Sequence, residues 1–404
     1  HNAALDERFG KESRLDEIAA RLLASRLSDV SVGRLRLTLP SGRAVDVGSG
    51  DEIEATLRLK SYALVWRALR RGIIGFADSY MNQEIETPDL GAVMRLFLAN
   101  FSTFDGAGGG WFRTRIFDRL GHRRKANTKA GSRRNIAAHY DLGNAFYALW
   151  LDPSMTYSSG IYESGRETLD VAQEAKCRLV LDELDVEPGN RVLEIGCGWG
   201  SMAQRIAKAG GDVTAITVSA EQFDLARARI AQSGLAQRAE VRFQDYRDVE
   251  GQFDRIVSVE MIEAVGEEHW ARFFGQVNER LVPGGHAVIQ AITIREESFE
   301  VYRRHPDFIQ RYIFPGGMLP TVSILEEQAE KHGLEFESVR RFGQSYARTL
   351  CDWRHRFLEA WPEIEALGFD ERFRRMWLYY LTYCEVGFET GLIDVGVYRF
   401  TRRD

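Results

Sequence analysis

The chain has 404 residues, enough for two domains with full-sized cores. Its apolar fraction of 44% and charged fraction of 28% are those of an ordinary globular protein, and a net charge of −6 excludes nucleic-acid binding through overall charge. No apolar run approaches the ~20 residues that span a bilayer. The first residues lack the basic-then-apolar signal-peptide pattern, and Cys177, Cys197, Cys351 and Cys384 stand in no metal-ligand spacing. A cytoplasmic protein with reduced thiols and no metal is expected.

Residues 1–105 read as a small α+β domain. An amphipathic helix is predicted over 13–27, with Leu15, Ile18, Ala19, Leu22 and Leu23 on one face and Ser13 and Asp16 resembling a capping box. Val32, Leu35, Leu37 and Leu39 follow strand alternation into a turn at Pro40, Ser41 and Gly42. Helical stretches are expected over 62–71 and 90–99. Residues 106–134 form a Gly-rich basic linker. Arg113, Arg115, Arg119, Arg123, Arg124, Lys125, Lys129, Arg133 and Arg134 are opposed only by Asp118. Two readings stand here: a solvated connector with a short amphipathic helix over 111–120, or a patch for phospholipid head groups. Each basic residue near an anionic membrane is worth about 1 kcal/mol.

Residues 135–404 read as one α/β domain. Strands are predicted over 191–195, 213–218, 241–244, 255–259 and 286–294. Helices are predicted over 202–209, 220–232 and 268–281. This alternation argues for a Rossmann-like, doubly wound parallel sheet. The first of these strands runs into Gly196-Cys-Gly-Trp-Gly200. Glycines allow a sharp turn and close approach of a ligand. Glu194 precedes the loop at the strand's end, where open α/β sheets bind ligands. An acid there, with no Lys-Ser/Thr following, points to S-adenosylmethionine rather than a phosphate ligand; a tight turn without ligand is the bland alternative. The second strand ends without the acid that commonly grips a ribose, leaving Thr217 and Gln222 as the polar groups placed to substitute. After the third strand, Gln244-Asp245-Tyr246 offers a carboxylate for the adenine amino group and a ring to cover the base.

The segments His139-Tyr-Asp-Leu-Gly-Asn-Ala-Phe-Tyr147, Leu151-Asp-Pro-Ser-Met-Thr-Tyr-Ser158 and Val192-Leu-Glu-Ile-Gly-Cys-Gly-Trp-Gly200 resemble the cyclopropane fatty acid synthase family. So do Thr217-Val-Ser-Ala-Glu-Gln222, Ile262-Glu-Ala-Val-Gly266, Tyr312-Ile-Phe-Pro-Gly-Gly317 and Tyr346-Ala-Arg-Thr-Leu350, and more weakly Gly75-Phe-Ala-Asp-Ser-Tyr80. The resemblance implies methyl transfer from S-adenosylmethionine to the double bond of an unsaturated phospholipid acyl chain. The resulting carbocation would lose a proton from the new methyl to bound bicarbonate and close to a cyclopropane. It places Tyr157 and Ser158 with the cofactor and His139 and Tyr312 with the catalytic residues. Tyr140, Phe146, Tyr157, Tyr312 and Phe314 are candidates to stabilise the cation through their ring faces, or else to pack the core.

The resemblance also implies a bicarbonate cradle. Glu263, Ile292 and Tyr346 match it, while Ser159 stands where the family commonly has cysteine and Gln290 where it has histidine. Glu263 is expected to position the bicarbonate, or otherwise to cap the helix after it. The two departures leave the product open between a cyclopropane and a methylene or methyl-branched chain. Two further alternatives are a small-molecule amine methyltransferase and a lipid-binding protein that has lost activity. Peripheral attachment to the inner face of the membrane and a homodimer are expected as well.

Overall fold

The computed structural model describes residues 14–27, 30–48, 50, 52–100 and 142–403. His139, Tyr140 and the basic stretch 113–134 lie outside the described residues. The chain packs as two compact units. The first takes its described residues from 14–100 and adds 305–308 and 369–386, two segments from within the 135–404 stretch expected to form one α/β domain.

In the first unit, β1 (Arg34–Thr38), β2 (Ala44–Val47), β3 (Glu54–Leu59) and β4 (Ile85–Glu86) form a sheet of order β2-β1-β3-β4. Leu35 and Leu37 of β1, with Leu57 and Leu59 of β3, face the core, as two-residue periodicity demands. The turn at Gly42 closes by its amide donating to the Leu39 carbonyl. The first helix is Arg14–Leu27. It buries Leu23 and Leu27 but leaves Ile18 exposed, so the expected apolar face is narrower than its pattern suggested.

The segment Gly75-Phe-Ala-Asp-Ser-Tyr80 lies in the helix Ile73–Met81. A Cβ on Gly75 would stand 2.4 Å from the Arg67 carbonyl oxygen, so only glycine lets the helix Ala63–Arg71 come this close. Arg375 donates to the Tyr80 carbonyl at 3.1 Å and its guanidinium lies 5.1 Å from the Tyr80 ring centroid, while Tyr379 packs on Phe76. These contacts tie residues 369–386 to the first unit.

The second unit is built on a seven-stranded sheet of order β10-β11-β9-β8-β5-β6-β7. Its strands are β5 (Arg191–Ile195), β6 (Asp212–Thr217), β7 (Ala239–Phe243), β8 (Phe253–Val259), β9 (Leu281–Ile294), β10 (Leu334–Arg341) and β11 (Ile393–Arg402). β5 to β9 run parallel, while β11 pairs antiparallel with β9 and β10 antiparallel with β11. β5 is buried at Val192, Leu193, Glu194 and Ile195, as a central parallel strand covered on both faces must be. Chain order reverses between β5 and β8. Open α/β sheets bind ligands in the crevice this reversal creates, beyond the strands' carboxyl ends.

Candidate functional site

Two loops leave the sheet at this crevice, one from β5 and one from β8. In the first, Gly196, Gly198 and Gly200 have φ values of 81°, 51° and 84°, which side-chain-bearing residues rarely adopt. A Cβ built on Gly198 meets nothing within 4 Å, so the backbone faces open space there. Trp199 is buried, and its indole N–H donates to Asn144 Oδ1 at 2.6 Å. Asn144, in the described part of the resembling segment, thereby anchors the glycine loop.

Glu194 at the end of β5 is buried, and its Oε2 finds no hydrogen-bond partner among the described residues. Burial pushes its carboxyl up to about 8, against the pull of the Lys176 charge and a backbone amide at Ala203. An orphaned buried carboxylate oxygen beside an open glycine loop fits a ligand that brings hydroxyl donors, as the ribose of S-adenosylmethionine does. Thr217 Oγ1 donates to Gln222 Oε1 at 2.9 Å, so these two predicted residues form one buried pair at the end of β6.

The third predicted group is arranged differently from expectation. Asp245 is buried and clamped by Arg247, whose Nε and Nη2 donate to it at 2.8 and 2.7 Å, while the Arg247 amide donates at 3.0 Å. Its charge is therefore balanced within the protein. Tyr246 is half-buried and packs edge-on against Phe273 with ring centroids 5.7 Å apart. Gln244 donates to the Asp248 carbonyl at 2.7 Å.

The segment Met155–Gly160 crosses the second loop. An Asx turn at Asp152, whose carboxylate accepts from the Ser154 and Thr156 amides at 2.8 and 3.0 Å, starts it. The helix Gly343–Glu359 holds its far end, since Thr349 Oγ1 accepts from the Gly160 amide and Ser345 Oγ from the Tyr162 amide, both at 3.0 Å. Tyr157 is half-buried among Tyr147, Trp150 and Trp353. Phe146 is fully buried between Trp150 and Phe357 and is a core residue. Ser158 Oγ accepts from Lys176 Nζ at 2.8 Å.

Three of the five residues of the expected bicarbonate cradle converge on one side chain that no motif singled out, and the other two, Ile292 and Glu263, bond each other beside it. That side chain is Glu260. Its Oε1 accepts from the Ser159 amide at 2.9 Å and from Gln290 Nε2 at 2.7 Å, and its Oε2 accepts from the Tyr346 hydroxyl at 2.6 Å. Ile292 supplies its amide to Glu263 Oε1. Glu263 Oε2 and Gln290 Oε1 find no hydrogen-bond partner among the described residues.

Glu260 follows β8 with φ 47°, a left-handed backbone that costs a non-glycine residue roughly 1–2 kcal/mol. Its amide donates to the Gln290 carbonyl at 2.8 Å, which fixes it against β9. Burial raises its carboxyl, while Tyr346, Ser159, Lys176 and Gln290 all favour the ionised form. Glu263, on the short helix Ile262–Val265, is pushed up to about 8 by burial and by the charge of Glu260. Of the two, Glu260 has donors on both carboxyl oxygens, which favour its ionised form, whereas Glu263 Oε2 has none among the described residues.

The loop 314–318 covers this pair: the Met318 amide donates to the Glu263 carbonyl at 2.8 Å and the Gln310 side chain to the Gly317 carbonyl at 3.0 Å. Tyr312 and Phe314, half-buried, flank that loop. The residues present do not fit a bicarbonate, because the donors meant for it are spent on a resident carboxylate. A second anion beside Glu260 would also bury two like charges together. Two residues of this site, Glu260 and Lys176, carried no motif signal. A buried lysine in a helix that otherwise looks half-exposed has no mark in its spacing.

The family model for mycolic acid cyclopropane synthetase matches residues 127–398. A tuberculostearic acid methyltransferase of Mycobacterium tuberculosis is 38% identical over 386 residues, covering 93% of this chain and 90% of that one. A cyclopropane-fatty-acyl-phospholipid synthase of Escherichia coli is 36% identical over 355 residues, covering 86% and 88%. Among solved structures, a mycolic acid cyclopropane synthase complexed with SAH and CTAB is 32% identical with a TM-score of 0.63, covering 67% of this chain and 98% of that chain.

Proposed function

The chain belongs to the mycolic acid cyclopropane synthetase family and is an S-adenosylmethionine-dependent methyltransferase, and we propose that it methylates the double bond of an unsaturated acyl chain in a membrane phospholipid. The observation that carries the reading is the meeting, at one topological crevice, of an open glycine loop with an orphaned Glu194 and a half-buried carboxyl pair, Glu260 and Glu263. S-adenosylmethionine, held along Glu194, Gly196, Gly198, Thr217 and Gln222, supplies an electrophilic methyl group. The protein's own residues do the rest. Aromatic side chains at Tyr157, Tyr312 and Phe314 wall the approach and keep water from the cation. The carboxylate pair provides the proton acceptor.

The phospholipid is favoured by the likeness to the Escherichia coli synthase. The basic residues between 113 and 134 would hold the enzyme at an anionic surface; no helix among the described residues is long and apolar enough to cross a membrane. The first product to expect is the cyclopropane chain. A methylene or methyl-branched chain is a second reading, favoured by the likeness to the tuberculostearic acid methyltransferase. Cyclopropane and methylene products arise from loss of the same methyl proton, the second after a hydride shift, and have the same mass.

The test is incubation with labelled S-adenosylmethionine and vesicles of a monounsaturated phospholipid, followed by proton NMR of the released acyl chains. Upfield cyclopropane protons support the first product and vinylidene protons the second. Label absent from the acyl chains, with S-adenosylhomocysteine formed on added small amines instead, would overturn the reading.

A further inference from the structure

Glu260 has the position, partners and chemistry of a group that the reaction needs and that nothing else in the site supplies. A base for the methyl proton must be ionised, fixed, and free of competing anions. Glu260 is half-buried, and three donors hold it: one from the loop after Met155, one from β9 and one from the helix Gly343–Glu359. These donors come from three distant parts of the chain, so the carboxylate has little freedom to rotate. Oε2 accepts a single hydrogen bond among the described residues, which leaves it one lone-pair direction for a substrate proton. Glu263 is the poorer base by geometry, since its Oε2 has no donor among the described residues to stabilise a carboxylate, while both oxygens of Glu260 are held.

We infer that the Glu260 carboxylate, seated on the Ser159 amide, Gln290 Nε2 and the Tyr346 hydroxyl, replaces the bicarbonate expected of the family and is itself the base that takes the proton from the transferred methyl group. This rests on the proposed methylation of an alkene. The alkene electron pair forms the bond to the methyl carbon, and the sulfonium leaves as a neutral thioether. Oε2 then accepts a proton from that methyl. The freed C–H pair forms the third ring bond, or a methylene double bond after a hydride shift. Glu260 ends as a carboxylic acid and returns its proton to solvent before the next turnover. Serine and glutamine at 159 and 290 then have a common reason. Only the backbone of Ser159 is needed, and Gln290 offers an amide donor to a carboxylate that never leaves.

The experiment compares wild type, E260Q and E260G, each assayed with vesicles of a monounsaturated phosphatidylglycerol in buffer purged of carbon dioxide, with and without added bicarbonate or formate. Glycine adopts the backbone of position 260 without strain, so E260G is expected to fold. Wild type should turn over equally in both buffers. E260Q should lose about 10²-fold or more and stay inactive whatever anion is added. E260G should lose as much, and bicarbonate or formate should restore at least about tenfold by filling the vacated cradle. Wild-type activity that collapses without carbon dioxide and returns with bicarbonate would overturn the inference.

A second readout needs no turnover: carbon-13 NMR of labelled bicarbonate with each protein saturated with S-adenosylhomocysteine. Exchange broadening with E260G but not with wild type supports the inference, and broadening with wild type overturns it. A chain inert toward every vesicle would therefore sink the methyltransfer to phospholipid, while bicarbonate binding would still decide who occupies the cradle.

Discussion

Replacing Glu263 by glutamine should stabilise the protein at high pH and do little at low pH. The carboxyl rises from an ordinary value of 4.5 to about 8, first through burial and then through Glu260. Between these values the folded protein keeps a proton that the unfolded chain has released. The unfolded state thus binds fewer protons, and wild-type stability falls by about 1.4 kcal/mol per pH unit across this window. At pH 5 the accumulated cost is below about 1 kcal/mol, and at pH 7.5 it is about 4 kcal/mol. Glutamine at 263 cannot ionise, and its carbonyl can still accept from the Ile292 amide. The stability gap between E263Q and wild type should therefore widen by about 3 kcal/mol from pH 5 to pH 7.5. Urea unfolding followed by near-ultraviolet dichroism at several pH values measures it. A residue that merely caps a helix predicts the opposite sign, a loss of roughly 0.5–2 kcal/mol at every pH. A gap that does not change with pH would refute the reasoning.

Gly196→Val should abolish binding of S-adenosylhomocysteine in calorimetry, because φ 81° disfavours valine and its Cβ would press on Met261 at 3.0 Å; unchanged affinity would remove the loop from the cofactor site. Lys176→Met withdraws the cation that favours ionised Glu260 and Glu194, whose other neighbours include Tyr346 and Glu263. The acid limb of its pH–rate profile should move to higher pH, with the greatest loss of turnover below neutrality. Neutralising Arg123, Arg124 and Lys125 together should weaken sedimentation with anionic vesicles, and added salt should erase the difference, because screening lengths fall to about 8 Å at physiological ionic strength.

The alternation from β5 to β9 was legible because each strand is a short buried run and each helix an amphipathic one. The helix Ala220–Gln232 has the bounds its sequence predicts, with Ser219 capping it. The glycine loop and Glu194 were legible for the same local reason. What escaped depends on distance in the chain. β10 and β11 are separated by three helices, Gly343–Glu359, Trp361–Ala366 and Glu371–Glu389, yet pair antiparallel and so break the parallel rhythm. The helix Glu371–Glu389 contributes most of its length to the first unit, which no local pattern announces. Asp245 looked available because nothing in Gln244-Asp245-Tyr246 shows that Arg247, two residues on, folds back on it. Glu260 sits at the end of a strand, where an acid usually meets solvent. Only the convergence of Ser159, Gln290 and Tyr346, which are far apart in sequence, turns it into a fully hydrogen-bonded carboxyl at the centre of the site.

The place of β11 in the sheet governs how the enzyme comes into being on the ribosome. β9 carries Gln290 and Ile292, and β11 pairs with it along its length, with Val397 opposite Gln290 and Val395 opposite Ile292. About a hundred residues separate the two strands, so a growing chain exposes one open edge of β9 until residues 393–402 have left the exit tunnel. The glycine loop and the strands that flank it can assemble earlier. The floor beneath the carboxylate pair cannot. A nascent or prematurely terminated chain is thus expected to bind the methyl donor before it can use it, and its bare strand edge marks it as a substrate for chaperones and proteases.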